Sequence, residues 1–173
     1  MDSTKWISKK IAIVGSFAVG KTSLISRFVE GKFPESYVTT IGLKVDKKTL
    51  EHQDYRLDLV IWDIAGQENF TKIPHFYLNG SHGVIFVTDL TRPETWEPLK
   101  AQMAILKGIL PDAAVVLAAN KKDLLEAGAL QRTLAAYPIQ PEITVSAKTG
   151  EQVEEMFRLL AAKLIHIHES LHT

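Results

Sequence analysis

The 173-residue chain contains no cysteine, which excludes disulfides, thiolate metal sites, palmitoylation and a prenyl acceptor within these residues. Neither sign of charge is in excess: Lys plus Arg and Asp plus Glu each total 20, for a formal net charge of +0. Without a basic field, binding to nucleic acid through the phosphate backbone is not expected. Long apolar runs are missing too, so neither a signal region after Met1-Asp2-Ser3-Thr4-Lys5-Trp6 nor a bilayer span is expected. No Pro/Gly/Ser-rich linker, internal repeat or low-complexity tract interrupts the chain. We expect one domain over residues 1–173, a cytoplasmic monomer with no direct lipid anchor that reaches membranes only through a partner.

What the chain does have is an alternation of apolar stretches with helical patterns, which predicts an α/β fold with a mixed, mostly parallel sheet covered on both faces. Strands are predicted at Ile11–Val14, Val84–Thr88, Ala114–Ala118 and Ile143–Val145. Two more, Leu43–Leu50 and Tyr55–Trp62, are separated only by Glu51-His52-Gln53-Asp54, too short for a parallel crossover, and so predict an antiparallel hairpin. Helices are predicted over Lys21–Glu30, over Pro93–Leu110 with Pro93 in the first turn, and from Glu151 onward. In the last, Val153, Met156, Phe157, Leu160 and Leu164 form an i, i+3/i+4 stripe that reads as core packing. An Ala- and Leu-rich stretch over residues 124–140 is broken at Tyr137-Pro138.

The most specific motif is Gly15-Ser16-Phe17-Ala18-Val19-Gly20-Lys21-Thr22, set between the first strand and the first helix. Gly15 and Gly20 allow the backbone to wrap so that successive N–H groups point inward at phosphates, at the positive end of a helix. Lys21 adds a cation beside the β- and γ-phosphates, and the Thr22 hydroxyl is a Mg²⁺ ligand. The expected nucleotide-binding residues of this segment are Gly15, Phe17, Ala18, Val19, Gly20, Lys21, Thr22 and Ser23. The alternative is an ordinary glycine-containing turn.

Residues that follow the other strands fit the same ligand, since in open parallel sheets ligands sit beyond the carboxyl ends of the strands. Asp63 can hold Mg²⁺, and Gly66 can offer its N–H to the terminal phosphate. Gln67 can orient an attacking water by donating and accepting hydrogen bonds. The alternative for Asp63-Ile64-Ala65-Gly66 is a strand-end turn. Asn120-Lys121-Lys122-Asp123 selects the base: an acceptor-only carboxylate at Asp123 matches the N1–H and exocyclic amine of guanine, whereas adenine presents an acceptor at N1. The Lys121 stem can lie across the base, and Ser146-Ala147-Lys148 can add a backbone N–H to the guanine oxygen. The alternatives are a solvated charge cluster and a helix-initiating turn.

With Gly15-x-x-x-x-Gly20-Lys21-Thr22, Thr40-Ile41-Gly42, Trp62-Asp63-Ile64-Ala65-Gly66-Gln67-Glu68, Asn120-Lys121-Lys122-Asp123 and Ser146-Ala147-Lys148 in this order, the chain resembles the Ras superfamily of small GTPases, most closely a Rab-type or Ras-type domain. The resemblance implies a P-loop NTPase fold with six strands, and a GTP/GDP switch that hydrolyses GTP slowly with Mg²⁺. It implies a first switch loop with Phe33 against guanine, Tyr37 near the γ-phosphate and Thr40 as a second Mg²⁺ ligand, and a second switch from Gln67 to about Tyr77. Gln67 and Lys21 would be the catalytic pair, and Thr22, Thr40 and Asp63 the metal set. Effector, exchange-factor and GTPase-activating proteins would read residues 33–45 and 66–77.

Two departures from the family pattern stand out. Phe17 fills a phosphate-loop position that is usually small or polar, so poor sensitivity to an inserted arginine is expected. Val45 stands where the Rab-like aromatic trio has Phe, while Trp62 and Tyr77 match. His166 and His168, two apart on a helix, predict no metal site, and His52, His75 and His82 show no ligand pattern. Two rival readings are a guanine-nucleotide-binding module without useful turnover and an ATP-dependent kinase or transferase, which would need an acceptor lid and no guanine reader.

Overall fold

Within β1 (Lys5–Val14), Ile11, Ala12, Ile13 and Val14 are all fully buried, and they alternate between two cores. Ile11 and Ile13 face one, Ala12 and Val14 the other, as the two-residue period of a strand requires. The same split recurs in β4 (Gly83–Asp89), with Ile85 and Val87 against Val84 and Phe86, and in β5 (Ala114–Asn120). A sheet apolar on both faces needs helices on both. The computed structural model describes residues 4–37, 39–67 and 70–172.

The six strands run in the order β2-β3-β1-β4-β5-β6. β2 (Leu43–His52) and β3 (Tyr55–Ile64) form the predicted antiparallel hairpin, closed by Gln53-Asp54 with Gln53 at φ 51. All other pairings are parallel, ending with the short β6 (Ile143–Thr144). One face is covered by α1 (Lys21–Glu30) and α5 (Val153–Leu171), where Phe28 and Phe157 stack with centroids 3.8 Å apart. The other face is covered by α2 (His75–Leu78), α3 (Leu99–Ile109) and α4 (Ala129–Ala135). No described helix is long and apolar enough to cross a membrane.

Several boundaries differ from the sequence reading for physical reasons. β1 begins at Lys5 and pairs with β3 from Tyr55 onward. Its first half is half-exposed and rich in lysine, so it carried no apolar run. The single helix predicted from Pro93 is a 3-10 turn, Pro93–Thr95, followed by α3. Pro98 explains the break, because a proline disfavours helical backbone in the residue before it. The Ala- and Leu-rich stretch yields only α4, which ends before Tyr137-Pro138. The C-terminal helix starts at Val153 after a left-handed Gln152, two residues later than predicted.

Candidate functional site

The carboxyl ends of β1, β3, β5 and β6 open onto one crevice. It comprises two adjoining cavities of about 240 and 360 Å³, which share Ala18, Gly20, Ser23, Phe33 and Tyr37 as walls. The first also holds Phe17, Lys21, Thr22, Thr40 and Gly66, and the second Asn120, Lys121, Asp123, Ala147 and Lys148. The chain thus brings together residues from five segments that the sequence reading assigned to one ligand. Gly15, Val19 and Ser146 are buried behind these walls. Gln67 is partly buried next to Gly66 and lines neither cavity. Val38 of the first switch and Glu68 and Asn69 of the second lie outside the described residues.

The loop after β1 needs its two glycines. A side chain at Gly15 (φ 152) would begin 2.2 Å from the Val87 carbonyl oxygen, and one at Gly20 (φ 100) 2.4 Å from Asn120 Nδ2. Asn120 Nδ2 donates to the Val19 carbonyl at 2.9 Å, while its Oδ1 accepts from the Ala147 N–H at 3.1 Å. Of the Ser146-Ala147-Lys148 stretch expected to offer a backbone N–H to the base, the Ala147 N–H is engaged by Asn120 here. Lys121 Nζ donates to the Ala18 carbonyl at 2.8 Å and pairs with Asp89 at 2.7 Å. Asp123 Oδ1 accepts the Ser146 hydroxyl at 2.6 Å, and the same oxygen of Ser146 accepts the Thr149 N–H at 3.1 Å. Ser146 thus both opens the following turn and fixes the carboxylate.

At the other end, Thr22 Oγ1 donates to Asp63 Oδ2 at 2.6 Å and lies 2.6 Å from Thr40 Oγ1, which is 3.3 Å from the same carboxylate oxygen. Asp63 is fully buried, and its Oδ1 has no hydrogen-bond partner among the described residues. Burial raises the Asp63 carboxyl above its ordinary range, opposed by the two hydroxyl donors and the nearby Lys21 charge. A buried carboxylate with one oxygen unpartnered, beside two hydroxyls, is the hard oxygen donor set that Mg²⁺ takes. Lys21 Nζ donates to the carbonyls of Gly15 (3.1 Å) and Ser16 (2.9 Å). Its burial lowers the ammonium pKa to about 8, against the attraction of Asp63. Gly66 stands beside it: a side chain there would begin 2.7 Å from Lys21 Nζ and 2.6 Å from Phe17 Cα.

A model of the Ras family matches residues 10–166. The chain belongs to the Ras family. The Ras-related protein Rab-4 of Dictyostelium discoideum is 36% identical over 153 residues, covering 86% of this chain and 75% of that protein. The Ras-related protein RABD2a of Arabidopsis thaliana is 34% identical over 160 residues, covering 90% and 79%. The Ras-related protein SEC4 of Candida albicans is 34% identical over 172 residues, covering 94% and 80%. This Ras-family protein is a Rab-like small GTPase, and its sheet is the P-loop GTPase sheet that its motifs implied.

Three residues that hold the walls of this crevice were not found by motif. Asp89, at the end of β4, is fully buried and directs Lys121; its strand-end place pointed to the crevice as those of Asp63 and Asn120 did. Arg27 of α1 donates to the carbonyls of Ala147 (3.0 Å), Lys148 (2.6 Å) and Gly31 (3.2 Å). Arg92 donates to the Phe17 carbonyl at 2.8 Å. Backbone acceptors leave no trace in a sequence, so neither arginine carried a signal. In the Rab-like trio, Val45 is 48% exposed and lies directly opposite Trp62 across the hairpin, over whose ring Lys10 Nζ sits at 3.6 Å. His82 Nδ1 accepts the Lys10 N–H at 3.1 Å, a packing role.

Proposed function

We propose that the crevice holds GTP or GDP with guanine in the Asp123 cavity and the phosphates in the Lys21 cavity, and that the GTPase turns over slowly as a switch. The observation that carries this reading is the meeting of Thr22, Thr40 and Asp63 within 2.6–3.3 Å of one another, three segments far apart in sequence. Thr22, Thr40 and Asp63 would hold Mg²⁺, which when bound neutralises phosphate charge. Lys21, drawn off the Gly15 and Ser16 carbonyls, would place its ammonium on the β- and γ-phosphates. Gly66 would offer its N–H to the terminal phosphate, and Gln67 would orient the attacking water, accepting one of its protons in a hydrogen bond. Asp123, held by Ser146, would accept from guanine N1–H and the exocyclic amine.

Thr40 comes from the first switch and Gly66 from the edge of the second. Loss of the γ-phosphate would free both, so that effectors, exchange factors and activating proteins reading residues 33–45 and 66–77 would meet a different surface. Single-turnover hydrolysis of loaded GTP by the wild type and by Gln67→Leu tests turnover: the wild type is expected to be at least tenfold faster. Equal, negligible rates would favour the inert binding module. Competition of GTP with ATP separates both from an ATP-dependent transferase.

A further inference from the structure

Three consecutive carbonyls of the phosphate loop each accept a side-chain hydrogen bond: Phe17 from Arg92, Ala18 from Lys121 and Val19 from Asn120. In a trans peptide the N–H points opposite to the carbonyl, and this chain has no cis peptide among its described residues. Each bond therefore turns the next N–H, of Ala18, Val19 and Gly20, away from the donor. Ala18 needs such restraint, because it sits at φ 60, a left-handed conformation that disfavours any residue with a Cβ. Lys121 and Asn120 belong to the base-reading segment. Arg92 does not, and no motif accounts for it.

Arg92 is itself held in place. Its N–H donates to the Asp89 carbonyl at 3.0 Å, and its own carbonyl accepts from the Thr95 N–H at 2.9 Å and from the Thr95 hydroxyl at 2.8 Å. Its Nε donates to Glu94 Oε1 at 2.9 Å, which leaves Nη1 for Phe17. Asp89 is also the partner of Lys121, so one strand end directs two cations onto neighbouring carbonyls. The peptide that Arg92 fixes lies next to Gly66, whose side-chain position would begin 2.6 Å from Phe17 Cα. That is the end of the crevice away from Asp123.

We infer that Arg92 is a positioning residue for the outer phosphates: by holding the Phe17 carbonyl outward it aims the Ala18 N–H at the β-phosphate. This rests on the nucleotide reading above and deepens it. A hydrogen bond from a charged donor is about twice as strong as a neutral one, and losing it from the loop that cradles the ligand is expected to cost about tenfold in affinity. The test compares binding of GDP and GMP by the wild type, Arg92→Met and Arg92→Lys. Arg92→Met is expected to weaken GDP about tenfold and to leave GMP within twofold, with Arg92→Lys recovering part of the loss. Glu94→Gln, which keeps the cation but loosens its orientation, is expected to weaken GDP about threefold and serves if Arg92→Met does not fold. Unchanged GDP affinity in the variants, or an equal loss of GMP, overturns the assignment of Arg92. A wild type that binds neither nucleotide overturns the nucleotide reading instead.

Discussion

The ring of Phe17 meets that of Tyr37 edge-on, with centroids 6.1 Å apart and planes at 77°. One comes from the phosphate loop and the other from the first switch, and they are 45% and 68% exposed. Together they wall the cavity that holds Lys21, on the path an arginine from an activating protein is expected to take.

Replacing Phe17 by glycine should therefore open that route. With an activating protein that supplies an arginine, Phe17→Gly is expected to gain at least tenfold in stimulated single-turnover GTP hydrolysis, while the wild type responds weakly; an inserted arginine is worth about 10³–10⁵ in other members of this class. No gain in the variant would show that Phe17 is not the obstacle.

Arg27 spans two loops by donating to the Ala147, Lys148 and Gly31 carbonyls. Through Thr149 and Ser146 this clamp supports Asp123. Arg27→Met is expected to speed GDP release about tenfold and to lower unfolding stability by about 1–3 kcal/mol, as read by nucleotide chase and by chemical denaturation. A release rate equal to that of the wild type would mean that the loop holds its shape without the clamp.

Lys21 has its pKa lowered to about 8 in the free protein by burial, and a bound phosphate would raise it again. Below pH 8 the ammonium is already present, so Lys21 takes up no proton on binding and adds no pH dependence there. Above pH 8 binding must take up a proton, and the preference for GDP over GMP is expected to fall, by up to about tenfold per pH unit. GMP serves as the control because it shares the titrating guanine. A ratio unchanged from pH 7 to 10 would sink this expectation.

Tyr137 is buried, stacks on Trp96 at 4.4 Å and shares a 3.1 Å hydrogen bond with the Thr88 hydroxyl. Burial pushes its phenol up to about 12. In an ultraviolet titration, one of the four tyrosines is expected to ionise near pH 12, and Tyr137→Phe should remove that step and cost about 1 kcal/mol of stability. A late step that persists in the variant would assign it elsewhere.

How much of this was legible depended on the type of partner. The phosphate loop, the hairpin and α1 followed from glycine spacing, a four-residue connection and apolar periodicity, all local properties. The convergence of Thr22 with Asp63 followed from the rule that ligands sit at the carboxyl ends of parallel strands. Thr40 was legible only through family resemblance, because a threonine entering a strand has no distinctive neighbours in sequence. The first half of β1 was hidden because its lysines break the apolar pattern while the backbone pairs with β3. Arg27 and Arg92 were invisible because their acceptors are carbonyls, which every residue has.

The carboxamide of Asn120 reaches the loop after β1 with one atom and the loop after β6 with the other. A single planar group therefore links the two halves of the crevice, so that a large displacement of either loop is felt by the other. Departure of a nucleotide from such a frame is expected to be concerted, with a time course that follows a single exponential rather than a staged loosening of one end and then the other.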